Sequence, residues 1–374
     1  MRWLFWASAA VVAYAYVGYP VLLWVRSWWA PRPVMRGAGT PPVSAVMVVR
    51  NEEAAIAPKL QNLLALDYPR DKLEVVVVSD GSSDRTPAVL AGFAERDARV
   101  RVLVKPESRG KAAGLNDAIR MAHGEVLLFT DARQPIEPGA LRLLIENFGD
   151  PEVGAASGEL MLGDPAGGET GRGMGLYWRI EKKIRELESA SGSVAGATGA
   201  IYCARRALLE PLPEGTILDD VLLPMQVVRR GSRVIFDSRA HAWDSPDLGS
   251  SREFSRKVRT LSGNYQLLQL APWLLSSENS IRFEFISHKL MRLVAPFALL
   301  GLLIASILLS SPFYHAALFA QLAFYALSLA ALGGLNIGPL SRIADPARTF
   351  VVLNSAAMVA FVNFVTGRKA VWIR

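Results

Sequence analysis

The sequence predicts an α/β domain, built on a sheet of parallel strands and hung between apolar segments of membrane-crossing length. Three observations carry that reading. Strand-like apolar runs alternate with helical patterns from Ser44 to Thr130, the order that yields a parallel sheet with right-handed crossovers. Charge is absent over 23 residues from Trp3 to Val25, 17 from Leu293 to Leu309, 29 from Pro312 to Leu340 and 19 from Thr349 to Gly367. Each of these runs is at or near the length needed to cross a bilayer core. The block from Arg32 to Leu270, by contrast, is charged and rich in turn residues, and a chain of 374 residues that is 51% hydrophobic has room for both parts.

Taken in order, the first apolar run reads as an uncleaved anchor over 1–30, since it outlasts the apolar core of a signal peptide and Ala30-Pro31 is a poor cleavage site. Arg26, Arg32 and Arg36 follow it, while only Arg2 precedes it, so the positive-inside bias puts the charged domain in the cytosol. Pro31, Pro33, Gly37, Gly39, Pro41 and Pro42 make 31–42 a linker that isolates this span. Strands are expected at 44–49, 73–79, 100–104 and 125–130, and helices at 52–66, 84–96 and 112–122. A folded domain over 43–264 results. Beyond it, 265–285 alternates leucine with glutamine near Trp273 and reads as an amphipathic helix at the membrane interface. The region 286–374 holds two or three further spans. The run from Thr349 to Gly367 contains Asn354 and Asn363 and is followed by Arg368, Lys369 and Arg374, so it either crosses, lies in the interface or packs inside a bundle.

Composition narrows the function. One cysteine, Cys203, excludes an internal disulfide, and four scattered histidines give no zinc spacing. Cys203 sits among small residues and reads as packing, and His241 receives no role. The net charge of +7 is spread along the chain without an aromatic-interleaved stripe, which argues against nucleic acid. Anionic headgroups and a diphosphate substrate account for it more simply.

Chemistry gathers at the carboxyl ends of the predicted strands, where ligands of such sheets bind. Arg50-Asn51-Glu52 follows the first strand, Asp80-Gly81-Ser82-Ser83-Asp84 the second and Asp131 the fourth. Asp80 could bond a base or ribose and Asp131 could reach a diphosphate through a metal. The plainer alternatives are a tight turn with Asp84 as cap and a strand-end cap. Downstream, Leu218-Asp219-Asp220-Val221 places two carboxylates beside each other. Pro224 is tolerated only in a first turn, so the helix should begin near Leu222 or Leu223, with Asp219 and Asp220 at its entrance. There the helix dipole would keep their pKa low, ready to accept a proton; ordinary capping is the alternative.

Read together, the runs 43–53, 76–84, Gly110-Lys111-Ala112-Ala113-Gly114-Leu115-Asn116, Phe129-Thr130-Asp131-Ala132, 196–202, Leu218-Asp219-Asp220 and Arg256-Lys257-Val258-Arg259-Thr260 resemble inverting family 2 glycosyltransferases. The flanking spans are similar to the membrane-embedded branch that holds cellulose and hyaluronan synthases. The resemblance covers about Val43 to Asn264. It implies a GT-A, Rossmann-like mixed-sheet domain flanked by transmembrane helices, a nucleotide-sugar donor, usually UDP-linked, and a polysaccharide or lipid acceptor. It also implies an integral protein of a bacterial inner membrane, its catalytic domain cytosolic. Carried over by position, Glu52, Asp80 and Lys111 bind the nucleoside, Asp131 is the first aspartate of a metal-binding Asp-x-Asp for Mg or Mn, and Asp220 is the general base, with Asp219 where many members have glutamate. Arg259 matches the arginine of Gln-x-x-Arg-Trp, which grips the donor diphosphate.

Two motifs depart from the pattern. Arg133 stands where the second aspartate of Asp-x-Asp belongs, and Arg256 and Thr260 stand for the Gln and Trp of Gln-x-x-Arg-Trp. The first leaves the metal one carboxylate fewer, or gives phosphate an arginine. The second removes the aromatic platform that polymerising members use. A non-processive enzyme adding one sugar to a lipid, and a catalytically dead nucleotide-sugar-binding partner of a secretion complex, are therefore alternatives to polymer synthesis. Trp243 could stack on an acceptor sugar in place of the missing tryptophan, or pack in the core. Arg252 and Lys257 read as a solvated or lipid-facing surface, and the glycine-rich run 165–175 as a loop able to gate the site.

Overall fold

The computed structural model describes residues 1–164, 168–169, 176–244, 250–333, 335 and 341–368; the glycine-rich run expected to form a loop lies almost wholly outside them. Its sheet contains β1 (Val43–Val49), β2 (Leu73–Asp80), β3 (Val100–Lys105), β4 (Val126–Phe129), β5 (Val153–Asp164), β6 (Gly168–Glu169), β7 (Tyr202–Arg205) and β8 (Arg233–Asp244). The order is β3-β2-β1-β4-β7-β5-β6, with β8 beside β5. β3, β2, β1 and β4 run parallel, as the alternating pattern predicts. β7 is antiparallel to both β4 and β5, which makes the sheet mixed.

Both faces of this sheet are covered. On β1, Ala45, Met47 and Val49 belong to one apolar cluster, while the intervening Val46 and Val48 belong to the other. Strands buried on two sides read as continuous apolar runs, which is why Ser44–Val49 shows no alternation. The helices that cover it are α2 (Glu53–Leu64), α3 (Thr86–Arg96), α4 (Lys111–Met121), α5 (Ala140–Glu146), α6 (Leu176–Ser191) and α7 (Asp219–Arg229). α4 lies so close to β1 that a Cβ on Gly114 would meet Val48 Cγ1 at 2.6 Å.

Among the described residues four helices are long and apolar enough to cross a membrane: α1 (Arg2–Trp29), the helix Arg282–Leu308 (α9), the helix Pro312–Leu332 (α10) and the stretch Ile343–Val365 of α11 (Ser341–Val365). Between α7 and α9 runs α8 (Ser250–Leu270). The doubtful fourth run is thus one of these helices. Its Asn354 bonds Tyr16 of α1 at 3.0 Å and its own helix at Phe350, so the polar side chain is satisfied within the bundle. Ser8 of α1 sits against Gly301 of α9, where a Cβ would approach Ser8 Oγ at 2.7 Å.

Two expectations fail here. The stretch 265–285 is not one amphipathic helix. α8 carries through to Leu270 and stops because Pro272 disfavours the helical conformation at Ala271. A 3-10 turn, Pro272–Leu275, then leads to α9. Nor does the 31–42 linker isolate the first span: Arg32 N–H donates to Ala190 O at 2.8 Å and Gly37 N–H to Glu146 O at 2.8 Å. These backbone bonds strap it to the domain.

Span and domain also share a buried polar cluster. Tyr19 of α1 donates to Glu188 at 2.6 Å, and His288 of α9 sits with Nδ1 2.8 Å from Glu188 and Nε2 3.1 Å from Glu181, both on α6. Replacing Gly114 by valine tests the packing of α4 on β1. Overpacking of this kind costs about 1–3 kcal/mol, so thermal unfolding of Gly114→Val should occur at a lower temperature than wild type.

Candidate active site

The carboxyl ends of β1 and β2 are locked side by side by their first helical turns. Glu53 N–H donates to Asp84 Oδ2 at 3.2 Å, and Arg85 N–H donates back to Glu53 Oε2 at 3.0 Å, so each helix start satisfies a backbone donor with the other's carboxylate. Asn51 takes a positive φ of 55°, a conformation asparagine tolerates, and its Oδ1 accepts from Ser83 N–H at 2.8 Å.

Asp80 is 2% exposed and fully engaged. It accepts from Ser108 Oγ at 2.6 Å, Arg109 N–H at 2.9 Å and Gly110 N–H at 2.8 Å. Gly81, at φ +64°, has no room for a side chain, because a Cβ would lie 2.4 Å from Ser108 N. Asp80 therefore shapes the loop that delivers Lys111 at the head of α4.

Lys111 joins three of the expected site residues. Its Nζ lies 2.9 Å from Asp131 Oδ1, beyond β4, and 3.1 Å from Asp219 Oδ2 on α7. Burial works against the charge on Lys111, but Asp131, Asp219 and Asp220 outweigh it and raise its pKa. The lysine stays cationic and neutralises the cluster.

Asp220 is the exception to the low pKa expected at a helix entrance. Burial first, then the neighbouring Asp219, push it up to about 6, against the pull of Lys111 and Lys289. Desolvation and a like charge outweigh the helix dipole here. The helix also begins earlier than expected, at Asp219, so Pro224 sits inside it. Pro224 has no N–H for the carbonyl of Asp220, and that carbonyl accepts instead from Ala197 N–H at 2.7 Å. Asp219 pairs with Lys111 rather than capping, and the N-cap position is Leu218.

Gly199 separates the two carboxylates that matter most. A Cβ there would lie 3.3 Å from Asp220 Oδ2 and 3.6 Å from Asp131 Oδ2. The run 196–202 thus both bonds α7 and leaves a side-chain-free gap between acid groups.

Glu52 and Arg133 face one another. Arg133 grips both oxygens of Glu52 at 3.0–3.1 Å, a bidentate pair, so the arginine at the second Asp-x-Asp position is held by another expected site residue. Arg259 lies half-buried along α8, on the far side of 245–249, which fall outside the described residues. Trp243 is 7% exposed and donates to Glu137 at 2.8 Å, and His241 contacts the same carboxylate. That pairing makes Trp243 a core residue and supplies the partner that His241 lacked in sequence.

Two residues escape sequence reasoning. Lys59 of α2 is buried and donates to Thr130 Oγ1 at 2.8 Å, directly behind Asp131; burial pulls its pKa down to about 7 against the raising effect of Asp131. Tyr202 stacks on Phe129 at 4.5 Å, its buried hydroxyl lacks a hydrogen-bond partner among the described residues, and burial followed by Asp219 and Asp220 holds its pKa well above the usual range. The only sequence signal for either is an apolar setting that should not hold a lysine or a free hydroxyl.

Among the described residues no three His, Cys, Asp or Glu side chains are grouped to hold a metal ion. A magnesium-type ion commonly takes one or two carboxylates plus substrate phosphates and water. Asp131, its side chain 43% exposed and its Oδ2 facing the gap at Gly199, fits that lesser demand.

Against this geometry, the profile of Glycosyl transferase family 2 matches residues 44–212. Residues 44–212 carry a family 2 glycosyltransferase domain. The segment resembles the beta-monoglucosyldiacylglycerol synthase of Synechocystis, 29% identical over 192 residues, 50% of this chain and 40% of that protein. It also resembles the poly-beta-1,6-N-acetyl-D-glucosamine synthase of Staphylococcus aureus, 25% identical over 60% of this chain and 55% of that one. The chain thus spans about half the length, or less, of these relatives. A mannosyltransferase from Pyrobaculum calidifontis, solved with GDP-Man and Mn2+, superposes with a TM-score of 0.72 at 24% identity, covering 98% of this chain and 99% of its own. The glycosyltransferase domain therefore has the GT-A fold.

Lys111→Met tests the neutralising role in this domain. Breaking a fully buried pair costs about 3–5 kcal/mol; Lys111 and Asp131 are partly exposed, so the loss here should be smaller. Without the cation the carboxylates hold protons more tightly in the folded state than in the unfolded one, so stability is present at low pH and is lost as pH rises. Unfolding curves should show a larger deficit at about pH 8 than at about pH 5.

Proposed function

We propose that the chain is a membrane-anchored, inverting glycosyltransferase that moves a sugar from a nucleotide-sugar, a UDP-sugar first of all, to a lipid-linked or polysaccharide acceptor. It works at the cytosolic face of a bacterial inner membrane. The anchor is 1–30, the catalytic unit 43–264 and the remaining membrane region 286–374. One observation carries the reading: Asp220, a carboxylate with its pKa raised to about 6, faces Asp131 across Gly199 beside the half-buried Lys111. A general base serves best when its pKa lies near the working pH.

In the reaction, Asp220 takes the proton of the acceptor hydroxyl as that oxygen attacks the anomeric carbon. The bond from that carbon to the diphosphate breaks, the electron pair leaves with the phosphate oxygen, and the configuration inverts. Glu52 and Asp80 frame the nucleoside pocket, Asp80 through the 108–110 loop, and Lys111 and Arg259 offer positive charge to the diphosphate. Asp131 would hold Mg or Mn together with the donor phosphates. Such an ion, when bound, neutralises charge on the leaving group. Asp219 fixes Lys111.

Transfer of a single sugar to a lipid is the favoured form of this activity. Thr260 stands where polymerising members carry tryptophan, and Trp243 is tied to Glu137 instead of offering an open ring face.

Asp220→Asn should lower kcat by about 10²–10⁴-fold in a UDP-release assay with native membranes as acceptor. Wild-type turnover in that variant would overturn the assignment. The same substitution should raise the unfolding temperature near neutral pH. A folded pKa above the unfolded value means that ionising Asp220 costs stability as pH climbs past the ordinary carboxylate range to about 6, and asparagine removes that cost. The pH profile of kcat/KM should rise with base ionisation and level off above about pH 6.

A further inference from the structure

A cavity of about 370 Å3 lies between α6, α8 and the first turns of α9. Its lining is unevenly charged. Arg185, Arg256, Lys257, Lys289 and Arg292 supply five positive charges, and Glu181 and Glu253 supply two negative ones. Part of this is settled internally: Arg292 and Arg185 both bond Glu181, and Lys257 pairs with Glu253.

Lys289 is different. It is half-buried on the wall, and among the described residues its ammonium makes neither a hydrogen bond nor an ion pair. A desolvated cation without a counter-ion is costly, so the fold holds it there at the expense of stability. Its backbone belongs to the π-turn Ile286–Leu290, an irregularity that is rare in helices and concentrated at functional sites. A second unmet polar group shares the wall. Asn264, 6% exposed, donates through Nδ2 to Thr260 O, but among the described residues its Oδ1 has no hydrogen-bond partner. The cavity therefore offers a cation in want of an anion and an acceptor in want of a donor. An anion with a hydroxyl or protonated oxygen close by answers both. Tyr177 and Trp178 add ring faces to the same lining.

Position selects the source of that anion. The cavity lies at the start of α9, which continues as one of the four membrane-length helices, so it sits at the level where lipid headgroups are found. It also adjoins the chemistry, since Lys289 is near enough to Asp220 to favour its ionised form.

We propose that this cavity binds the phosphate of an anionic acceptor lipid and so directs that lipid's hydroxyl toward Asp220. The assignment rests on the transferase reading of the carboxylate cluster and narrows its acceptor to a phosphate-bearing lipid. Lys289 supplies the main contact, Arg256 and Lys257 widen the positive rim, and Asn264 Oδ1 accepts from a protonated phosphate oxygen.

The test uses the full chain in phosphatidylcholine nanodiscs. Phosphatidic acid is incorporated as the lipid-borne phosphate, glycerol 3-phosphate is added as the soluble one, and binding is read from the shift in unfolding temperature. Phosphatidic acid should raise that temperature, and Lys289→Gln should weaken its apparent affinity by about ten-fold, the loss of one charge-assisted contact. Lys289→Arg should restore binding, which separates a lost contact from a misfolded protein. Protection by glycerol 3-phosphate but not by phosphatidic acid would overturn the lipid source. Equal protection of wild type and Lys289→Gln by phosphatidic acid, or none in either, would overturn the site. Absence of UDP binding, or full transfer by Asp220→Asn, would instead remove the transferase reading and leave the lipid measurement standing.

Discussion

The ammonium of Lys111 is the interaction on which the site depends. Three carboxylates converge from separate parts of the chain, Asp131 beyond β4 and Asp219 and Asp220 at the head of α7. In a partly dry crevice their mutual repulsion would drive them apart or leave them protonated. A single half-buried cation, 2.9 Å from Asp131 and 3.1 Å from Asp219, lets them stay together. The arrangement divides labour. The two carboxylates in contact with Lys111 are compensated, whereas Asp220 is left under-compensated, and burial and Asp219 push its pKa up to about 6.

Holding this geometry falls to backbone rather than to long side chains. Pro224 frees the carbonyl of Asp220, and Ala197 takes it up, so the loop before β7 and the start of α7 move as one unit. Asp80 gathers the 108–110 loop with three hydrogen bonds, and Glu53 and Asp84 clamp two strand ends together. Each device uses a residue of low conformational freedom or a short, doubly bonded side chain. Pre-organisation of this kind means that little ordering is left to be done when a substrate arrives.

The parallel half of the sheet was legible because strands buried on both faces leave unbroken apolar runs, and the carboxyl-end rule then pointed to Asp80, Asp131 and Glu52. The carboxylate pair was legible from its motif, but its pKa was not. A helix-entrance argument sees only the dipole, whereas burial and the proximity of Asp219 are tertiary facts. The start of α7 was misjudged for a related reason: a proline inside a helix is tolerated when another segment satisfies the orphaned carbonyl, and Ala197 lies 23 residues away in sequence. The antiparallel strand β7 and the pairing of Glu52 with Arg133 depend on long-range contacts that no local pattern encodes. Lys59 was missed because its helix reads as ordinary until the sheet is packed against it.

The cluster formed by Tyr19, Glu188, His288, Glu181 and Arg292 has a bearing on how the molecule can be divided. Two acidic groups of α6 are buried and, apart from the contact of Arg185 with Glu181 within α6, are partnered from α1 and α9. A fragment trimmed to the segment between the spans would keep both glutamates and lose every one of those partners. The apparent boundary between a water-soluble catalytic unit and its membrane helices is therefore a boundary of composition alone. The two share one buried hydrogen-bond network, and cutting the spans away would leave Glu188 without Tyr19 and His288.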